Sequence, residues 1–236
     1  MKSLSLLKPA LFLLLISVCS TLPLKAQQTK NVTLGSFTTV AVSSGIELII
    51  NQSGAENAKI VAKAEIIDEV LIQLQGRNLR ISWKPNEGYR NHFKNKSAKV
   101  YLNYKSLNDI SASSGSSVST ENVLKTTQLE LRASSGASIN AKIACSNLEL
   151  HTSSGASADI SGSAANLDVS TSSGGSIDAG DLLSDYAKAS ASSGGSAKIN
   201  VAKGLEASTS SGGSIRYKGN ASLRNVSSRN SIRHID

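Results

Sequence analysis

The residues with the most chemical potential lie between Trp83 and Tyr104, in the segment WKPNEGYRNHFKNKSAKVYLNY. This segment holds five of the eight aromatic residues that follow residue 26, and five basic residues against one glutamate. Aromatic faces beside polar donors can stack on sugar rings or hold an acidic glycan. We therefore predict a ligand-binding site formed by Trp83, Tyr89, Arg90, Phe93, Lys94 and Lys96. The alternative is a basic hairpin tip whose aromatic side chains cover an open end of the fold.

Carboxylates that could catalyse a reaction are harder to find. Cleavage of a glycosidic bond needs two facing carboxyl groups, and the best pair is Asp159 and Asp178, which occupy equivalent positions in adjacent repeats. Lys198 follows them at the same position in the next repeat and compensates their charge. This column is therefore predicted to be a solvated surface ladder rather than a catalytic or calcium site.

Other catalytic and metal-binding patterns are missing from the sequence. His92, His151 and His234 share no spacing typical of metal ligands, and no GxSxG motif accompanies the many serines. We predict that the protein is not an enzyme and uses no metal or cofactor.

The elements that position these residues follow from a repeat. Glycines of the triplet Ser-Ser-Gly recur at intervals of 18 to 21 residues, at Gly115, Gly136, Gly155, Gly174, Gly194 and Gly212. A period of this length indicates stacked structural units. An earlier copy, FTTVAVSSGIELII, places Gly45 on the same template 70 residues upstream.

Apolar residues alternate on both sides of each glycine, as in strands with one buried face. Five positions before the glycine stand Ile110, Leu131, Leu150, Val169, Ala189 and Ala207, and three positions after it stand Val118, Ile139, Ala158, Ile177, Ala197 and Ile215. Each unit is therefore predicted to be a strand, a tight corner at the glycine, a second strand and a short return. Stacking such units in register makes a right-handed parallel β-helix, an all-β solenoid with about 19–20 residues per coil.

The corner sequence suits this role because glycine tolerates a positive φ. Stacked serine hydroxyls are predicted to hydrogen-bond to one another or to nearby backbone. Two such ladders are expected, one of Ser135, Ser154, Ser173, Ser193 and Ser211, the other of Ser138, Ser157, Ser176, Ser196 and Ser214.

The domain organisation follows from these patterns. Residues 27–236 are predicted to form a single domain, in which a wider β-region with hairpins spans 27–104 and the regular coils span 105–220. Gly76 to Asn78 is a credible hairpin turn in the wider region. Residues 221–236, where Arg229 replaces the glycine, are predicted to be a C-terminal cap.

The first 26 residues are predicted to be a secretory signal peptide. Lys2 and Lys8 precede an apolar run that is too short to span a bilayer, and a polar stretch ending at Ala26 follows it. Lipidation at Cys19, in the sequence ISVCS, is the alternative. We expect an exported protein located in the periplasm, at the cell surface or outside the cell.

The composition of the chain after residue 26 excludes two classes. It has 22 basic and 17 acidic residues, a formal charge of +5 that is too small to indicate nucleic-acid binding. Its single cysteine, Cys145, cannot form an intramolecular disulfide and is predicted to be a buried small apolar residue. No second apolar segment is long enough to span a membrane.

The pattern of FTTVAVSSGIELII, LQGRNLRISW, VYLNYKSLNDISASSGSSV and the following coils resembles a family of Bacteroidetes-type secreted proteins, the putative auto-transporter adhesins with a head GIN domain. The resemblance covers about residues 36 to 220. It implies a β-helical secreted or envelope protein and brings no catalytic residues with it.

Taken together, these observations favour a secreted or envelope-associated binding module, adhesin-like and without enzymatic activity. Its partner is expected to be a glycan or another surface protein, and the oligomeric state is left open. The alternatives are a polysaccharide-processing β-helix enzyme, which clustered outward carboxylates would favour, and a purely structural envelope protein.

Overall fold

The computed structural model describes residues 27–85, 96–227 and 231–235. Almost all of these residues belong to strands or tight turns, and the described chain contains one short 3-10 helix, Ile67–Glu69. The strands are β1 (Gln27–Thr33), β2 (Thr39–Val42), β3 (Glu47–Gln52), β4 (Asn57–Lys63), β5 (Val70–Gln75), β6 (Asn78–Trp83), β7 (Ala98–Tyr104), β8 (Asp109–Ala112), β9 (Ser117–Thr120), β10 (Leu124–Lys125), β11 (Gln128–Ala133), β12 (Ser138–Thr152), β13 (Ser157–Thr171), β14 (Ser176–Ala191), β15 (Ser196–Thr209), β16 (Ser214–Lys218), β17 (Ser222–Ser227) and β18 (Ile232–His234).

The predicted β-solenoid is confirmed. Strands β12, β13, β14 and β15 are each 14 to 16 residues long, and each pairs in parallel with the next. A single strand therefore runs from one Ser-Ser-Gly corner round to the next, so the predicted short return is itself mostly strand. Residues at equivalent positions of the repeat lie above one another, as in the column of Leu129, Leu148, Leu167, Ala187 and Leu205.

The interior is built from the alternating apolar positions. Both predicted columns beside the glycines are buried, from Ile110 to Ala207 and from Val118 to Ile215. Alanine is common in the upper coils, whereas the larger buried side chains Phe37, Trp83 and Tyr104 belong to the N-terminal layers. The few buried polar groups are paired where the stack allows it: the hydroxyl of Thr152 donates to that of Thr171 at 2.9 Å.

The corners are held together by backbone rather than by serine hydroxyls. At each corner the second serine and the glycine both have positive φ, as at Ser173 (φ 49°) and Gly174 (φ 71°). The glycine N–H then donates to the carbonyl of the second serine in the layer above, at 3.0 to 3.2 Å from Gly45 to Gly194. No hydrogen bond joins serine hydroxyls of neighbouring layers in the described chain. We call this series of backbone bonds the corner ladder.

Chain order and spatial order differ at the N-terminal end. The Gly45 corner, made by β2 and β3, lies directly beneath the Gly115 corner, since β2 pairs with β8 and β3 with β9. The other edges of β2 and β3 pair with β6 and β7, which come later in the chain. The 70 residues between the two corners therefore pass below the first coil and return above it.

The wider N-terminal region extends this lowest layer on both sides. β5 pairs with β6 as an antiparallel hairpin with the predicted turn at Gly76, and β4 is antiparallel to both β7 and β1. At the other end β17 pairs with β15, and β18 with β16, to form the last described layer. Arg229 lies outside the described residues, so the cap remains a prediction. None of the described helices is long and apolar enough to cross a membrane.

Candidate functional site

The structure places the two described members of the predicted 83–96 site in packed positions. Trp83 is 6% exposed, and its indole N–H donates to the carbonyl of Ser44 at 2.8 Å. Every other carbonyl of the corner ladder accepts a glycine N–H from the layer beneath, but the layer below Ser44 has no Ser-Ser-Gly corner. Trp83 therefore caps the lower end of the corner ladder, and its ring has no free face on which a sugar could stack.

Lys96 is also engaged within the fold. Its ammonium group pairs with the carboxylate of Glu69 and lies 5.6 Å from the centre of the Trp83 ring. With Ser44, Gly45 and Ser114 these two residues line an open cavity of about 460 Å³. The remaining predicted residues, Tyr89, Arg90, Phe93 and Lys94, lie outside the described residues, so their binding role remains a prediction.

The predicted acidic pair has the expected register. Asp159 is paired with Asp178, which is paired with Lys198 in the next layer. The ammonium of Lys198 lies 3.2 Å from a carboxylate oxygen of Asp178. The column is therefore charge-compensated in the way that its sequence indicated.

A polar groove lies on the sheet that contains β8, β11 and the C-terminal halves of β12 to β15. Two cavities of about 440 and 370 Å³ share Gln128, Asn147 and Glu149 and so form one continuous depression along the stack. Buried leucines, including Leu148 and Leu167, form its floor. We call this depression the polar groove.

Two columns of outward side chains line the polar groove. The amide column lies eight positions before the corner glycines, and the carboxylate column lies six positions before them. In-register pairing brings each column together across successive layers. The amide column is Gln128, Asn147 and Asn166, and the carboxylate column is Asp109, Glu130, Glu149 and Asp168.

The amide column is internally bonded. The side-chain amide of Asn166 donates to the side-chain oxygen of Asn147 at 2.8 Å. An amide that spends one donor in this way retains a second N–H and free acceptor capacity. The column can therefore hold its shape and still offer donors and acceptors to a ligand.

Charges in the carboxylate column are unevenly compensated. Arg132 bonds to Asp109 at 2.7 Å and also pairs with Glu130. His151 lies 3.5 Å from Glu130 and 3.8 Å from Glu149. Asp168 makes no ion pair with any residue in the described ranges. The carboxylates of the middle layers are thus the most available to a ligand.

Three of these side chains could supply ligands to a metal ion. One ligand atom each from Glu130, Glu149 and His151 lies within 4.8 Å of the others. However, the guanidinium of Arg132 already pairs with Glu130, which reduces the negative charge that the trio offers to a cation. The ion-pair network accounts for this arrangement without a metal.

Tyr186 continues the amide column and forms an aromatic wall of the groove. The residue is 49% exposed. Its ring lies against Gly204 in the layer above, where a Cβ atom would come within 3.1 Å of the ring carbon Cδ1. The ammonium of Lys203 lies 5.8 Å from the ring centre and is anchored by Asp185 at 3.0 Å. Gly204 therefore provides the space that the ring occupies at the edge of the groove.

Sequence reasoning missed the polar groove, although the signal was present. The alternation had identified polar residues at even positions from the corner glycine, without comparing those positions across all the coils. Reading positions eight and six before each glycine recovers both columns and Tyr186. The concentration of aromatic and basic residues near Trp83 was the more conspicuous pattern and drew attention to the lower layers.

The polar groove offers hydrogen-bonding groups at regular intervals. Adjacent parallel strands are about 4.8 Å apart, so each layer presents an amide and a carboxylate one strand spacing from the next pair. Together with an exposed aromatic ring, this arrangement suits a ligand rich in hydroxyl groups. The carboxylates project from one sheet and would contact such a ligand from one side.

Comparison with known proteins identifies relatives in sequence and in fold. The family model described as "Putative auto-transporter adhesin, head GIN domain" matches residues 36–221. No curated protein matches the chain.

Three solved structures show the same fold. A putative adhesin from Bacteroides fragilis NCTC 9343 is 20% identical with a TM-score of 0.79, covering 90% of this chain and 99% of its own. A putative adhesin from Parabacteroides merdae ATCC 43184 is 20% identical with a TM-score of 0.72, covering 89% and 96%. A putative lipid binding protein from Parabacteroides distasonis ATCC 8503 is 14% identical with a TM-score of 0.63, covering 89% and 97%.

Proposed function

The chain belongs to the family of putative auto-transporter adhesins with a head GIN domain, and from this premise we propose that it is an exported, non-enzymatic binding module whose polar groove holds a glycan. The family description supports an adhesin-like role, and the groove supplies a surface on which such a role could be exercised. The ligand class is argued from the side chains of the groove.

One observation carries this proposal: amide and carboxylate columns run side by side across successive layers and lead to the exposed ring of Tyr186. Sugar hydroxyls both donate and accept hydrogen bonds, so they can satisfy carboxylates and amides together. The apolar face of a sugar ring can pack on an aromatic side chain. A glycan lying in the groove would meet both requirements.

A glycan array tests the proposal, using purified residues 27–236. We expect specific binding that is lost in the double variant Asn166→Ala/Tyr186→Ala, because it removes one amide and the aromatic wall of the groove. The matched control is Asn140→Ala/Tyr101→Ala, which removes the same side-chain types from the opposite sheet. A folded wild type that binds no glycan, or binding that survives the groove variant, would contradict the proposal.

The predicted site at residues 83–96 enters the same experiment as a second location. A Tyr89→Ala/Phe93→Ala variant leaves the buried cap at Trp83 intact. Loss of binding in this variant alone would move the glycan site to the lower end of the solenoid. Binding to another surface protein, the other partner class considered, would be indicated by a folded wild type that binds no glycan but retains adhesion to cells.

Export is tested by determining the mature N-terminus. Cleavage of the predicted signal peptide should leave Gln27 as the first residue of the secreted chain. A chain that begins at Cys19 and carries lipid would replace this prediction with an anchored form.

A polysaccharide-processing enzyme is the second candidate, because the carboxylate column is the outward cluster that such an enzyme would need. The matching assay incubates each bound oligosaccharide with the protein and looks for shorter products by mass spectrometry. Products that disappear in a Glu149→Gln variant would favour the enzyme. Unchanged oligosaccharide that remains bound would favour the binding module.

A further inference from the structure

The polar groove differs in charge from the chain as a whole. The chain is basic, with a formal charge of +8, yet five carboxylates line the groove against two cationic side chains. The cations, Lys188 and Arg224, belong to its upper layers, so the lower and middle layers are acidic. The five carboxylates are Asp109, Glu130, Glu149, Asp168 and Glu206.

The two middle layers offer the least compensated negative charge. Glu149 has a side chain that is 60% exposed, and its ion contact is with His151 at 3.8 Å. Asp168, in the next layer, has no ion-pair partner among the described residues, and each carboxylate stands beside an amide of the neighbouring column. An anionic ligand placed here would lose its hydration beside two carboxylates of the same sign, which disfavours binding.

The ring of Tyr186 lies one layer above Asn166 and Asp168. Three consecutive layers therefore present Asn147 with Glu149, Asn166 with Asp168, and Tyr186 with Lys188. The first two sets repeat the same chemistry at a separation of about one strand spacing. One sugar residue of an extended glycan is comparable in length to this spacing, so successive residues could meet successive layers.

Building on the proposed function, we infer that the polar groove selects an extended polysaccharide with neutral or amine-bearing sugars, lying along the solenoid axis, and discriminates against uronic or sulfated glycans. Neutral sugars would donate hydroxyl hydrogens to the carboxylates and accept from the amides. An amine-bearing sugar would add a charge-assisted hydrogen bond to Glu149 or Asp168.

The test compares three hexasaccharides by isothermal titration calorimetry in 150 mM salt: chitosan hexamer, its fully N-acetylated counterpart and hexagalacturonate. We expect the amine-bearing and neutral oligomers to bind at least tenfold more tightly than the acidic one. We also expect affinity to rise from the dimer to the tetramer as further layers are occupied. The moderate salt screens long-range attraction by the basic remainder of the surface.

A charge variant separates the inference from its premise. Glu149→Gln/Asp168→Asn keeps the shape of the groove while removing two charges, so chitosan affinity should fall about tenfold and that of the neutral oligomer should change less than threefold. The matched control, Asp159→Asn/Asp181→Asn, removes two charges outside the groove and should leave all three affinities unchanged.

The outcomes distinguish the two proposals. Hexagalacturonate binding that equals chitosan binding and is lost in Asn166→Ala/Tyr186→Ala would overturn the inference and leave glycan binding by the groove standing. Equal loss of chitosan affinity in the charge variant and in its matched control would also overturn it. No binding of any oligosaccharide, on the array or by calorimetry, would overturn the proposed function itself.

Discussion

At the residue scale, Trp83 shows how a side chain suited to ligand stacking can serve the fold instead. Its indole N–H is the last donor of the corner ladder, and its ring fills the core of the lowest layers. Composition alone cannot separate these roles, because buried and exposed aromatic residues look alike in a sequence. What decides between them is the absence of a glycine corner beneath Ser44, which is a property of the stack.

Two phenylalanine substitutions in this region should have opposite effects. Trp83→Phe removes the N–H that caps Ser44 and should lower the free energy of unfolding by about 1 kcal/mol or more. Tyr104→Phe removes a buried hydroxyl that has no hydrogen-bond partner, so stability should be unchanged or slightly higher. Urea unfolding followed by circular dichroism measures both, and a destabilised Tyr104→Phe would show that its hydroxyl is solvated.

Cys145 should react slowly at neutral pH. The residue is half-buried against the core, and burial raises the pKa of its thiol to about 11. Because the thiolate is the reactive form, the labelling rate with a disulfide reagent should increase about tenfold per pH unit up to that pKa. The unfolded chain, with a thiol pKa near 8.5, is the control; equally fast labelling of the folded chain at pH 7 would contradict the prediction.

At the element scale, the sequence predicts the coils and their corners well because each coil repeats the same physical problem. Alternation predicted which side chains are buried, and the glycine period predicted which residues lie above one another. The positive φ of serines such as Ser173 was not predictable from residue type, since serine seldom adopts it. It is imposed by the corner ladder, which needs the carbonyl of that serine to point along the stack.

Two glycines of the corners should tolerate alanine to different degrees. At Gly174 (φ 71°) no atom lies within 4 Å of an added Cβ, so Gly174→Ala should cost about 1–2 kcal/mol of backbone strain. At Gly213 the added Cβ would lie 2.1 Å from the carbonyl oxygen of Ala191, so Gly213→Ala must move the layers apart and should cost about 3 kcal/mol or more.

Thermal unfolding of the two variants gives this comparison directly, with Ser173→Asn as the control because asparagine adopts positive φ more readily than serine. We expect Ser173→Asn to be at least as stable as the wild type. A Gly174→Ala variant less stable than Gly213→Ala would show that steric contact between layers matters less than the conformation of the corner.

At the scale of the whole molecule, the order of the layers was beyond the reach of the sequence. The template about Gly45 predicted a coil, but nothing in the letters shows that β6 and β7 pair beneath it. That arrangement depends on strand edges finding partners 40 to 60 residues away. The polar groove was predictable in composition and not in shape, because a depression depends on how neighbouring columns of side chains stand relative to one another.

Amide hydrogen exchange should reveal this architecture. Stacked coils contact only their neighbours, so local opening should be easiest in the terminal layers. We expect β17 and β18 to exchange fastest, and β2 and β3 to exchange as slowly as the central strands, because both their edges are paired. Fast exchange in β2 would contradict the described layer order.

The interior position of β2 and β3 also determines how the molecule would respond to mechanical tension. Force applied through the C-terminal layers meets one remaining interface at a time, so the coils can peel away in succession. Force applied from the β1 side first separates β1 from β4 and then reaches strands that are bonded on both edges. These strands must shear past two neighbours at once. The solenoid is therefore mechanically polar, and it holds most firmly when the tension enters through its amino-terminal strands.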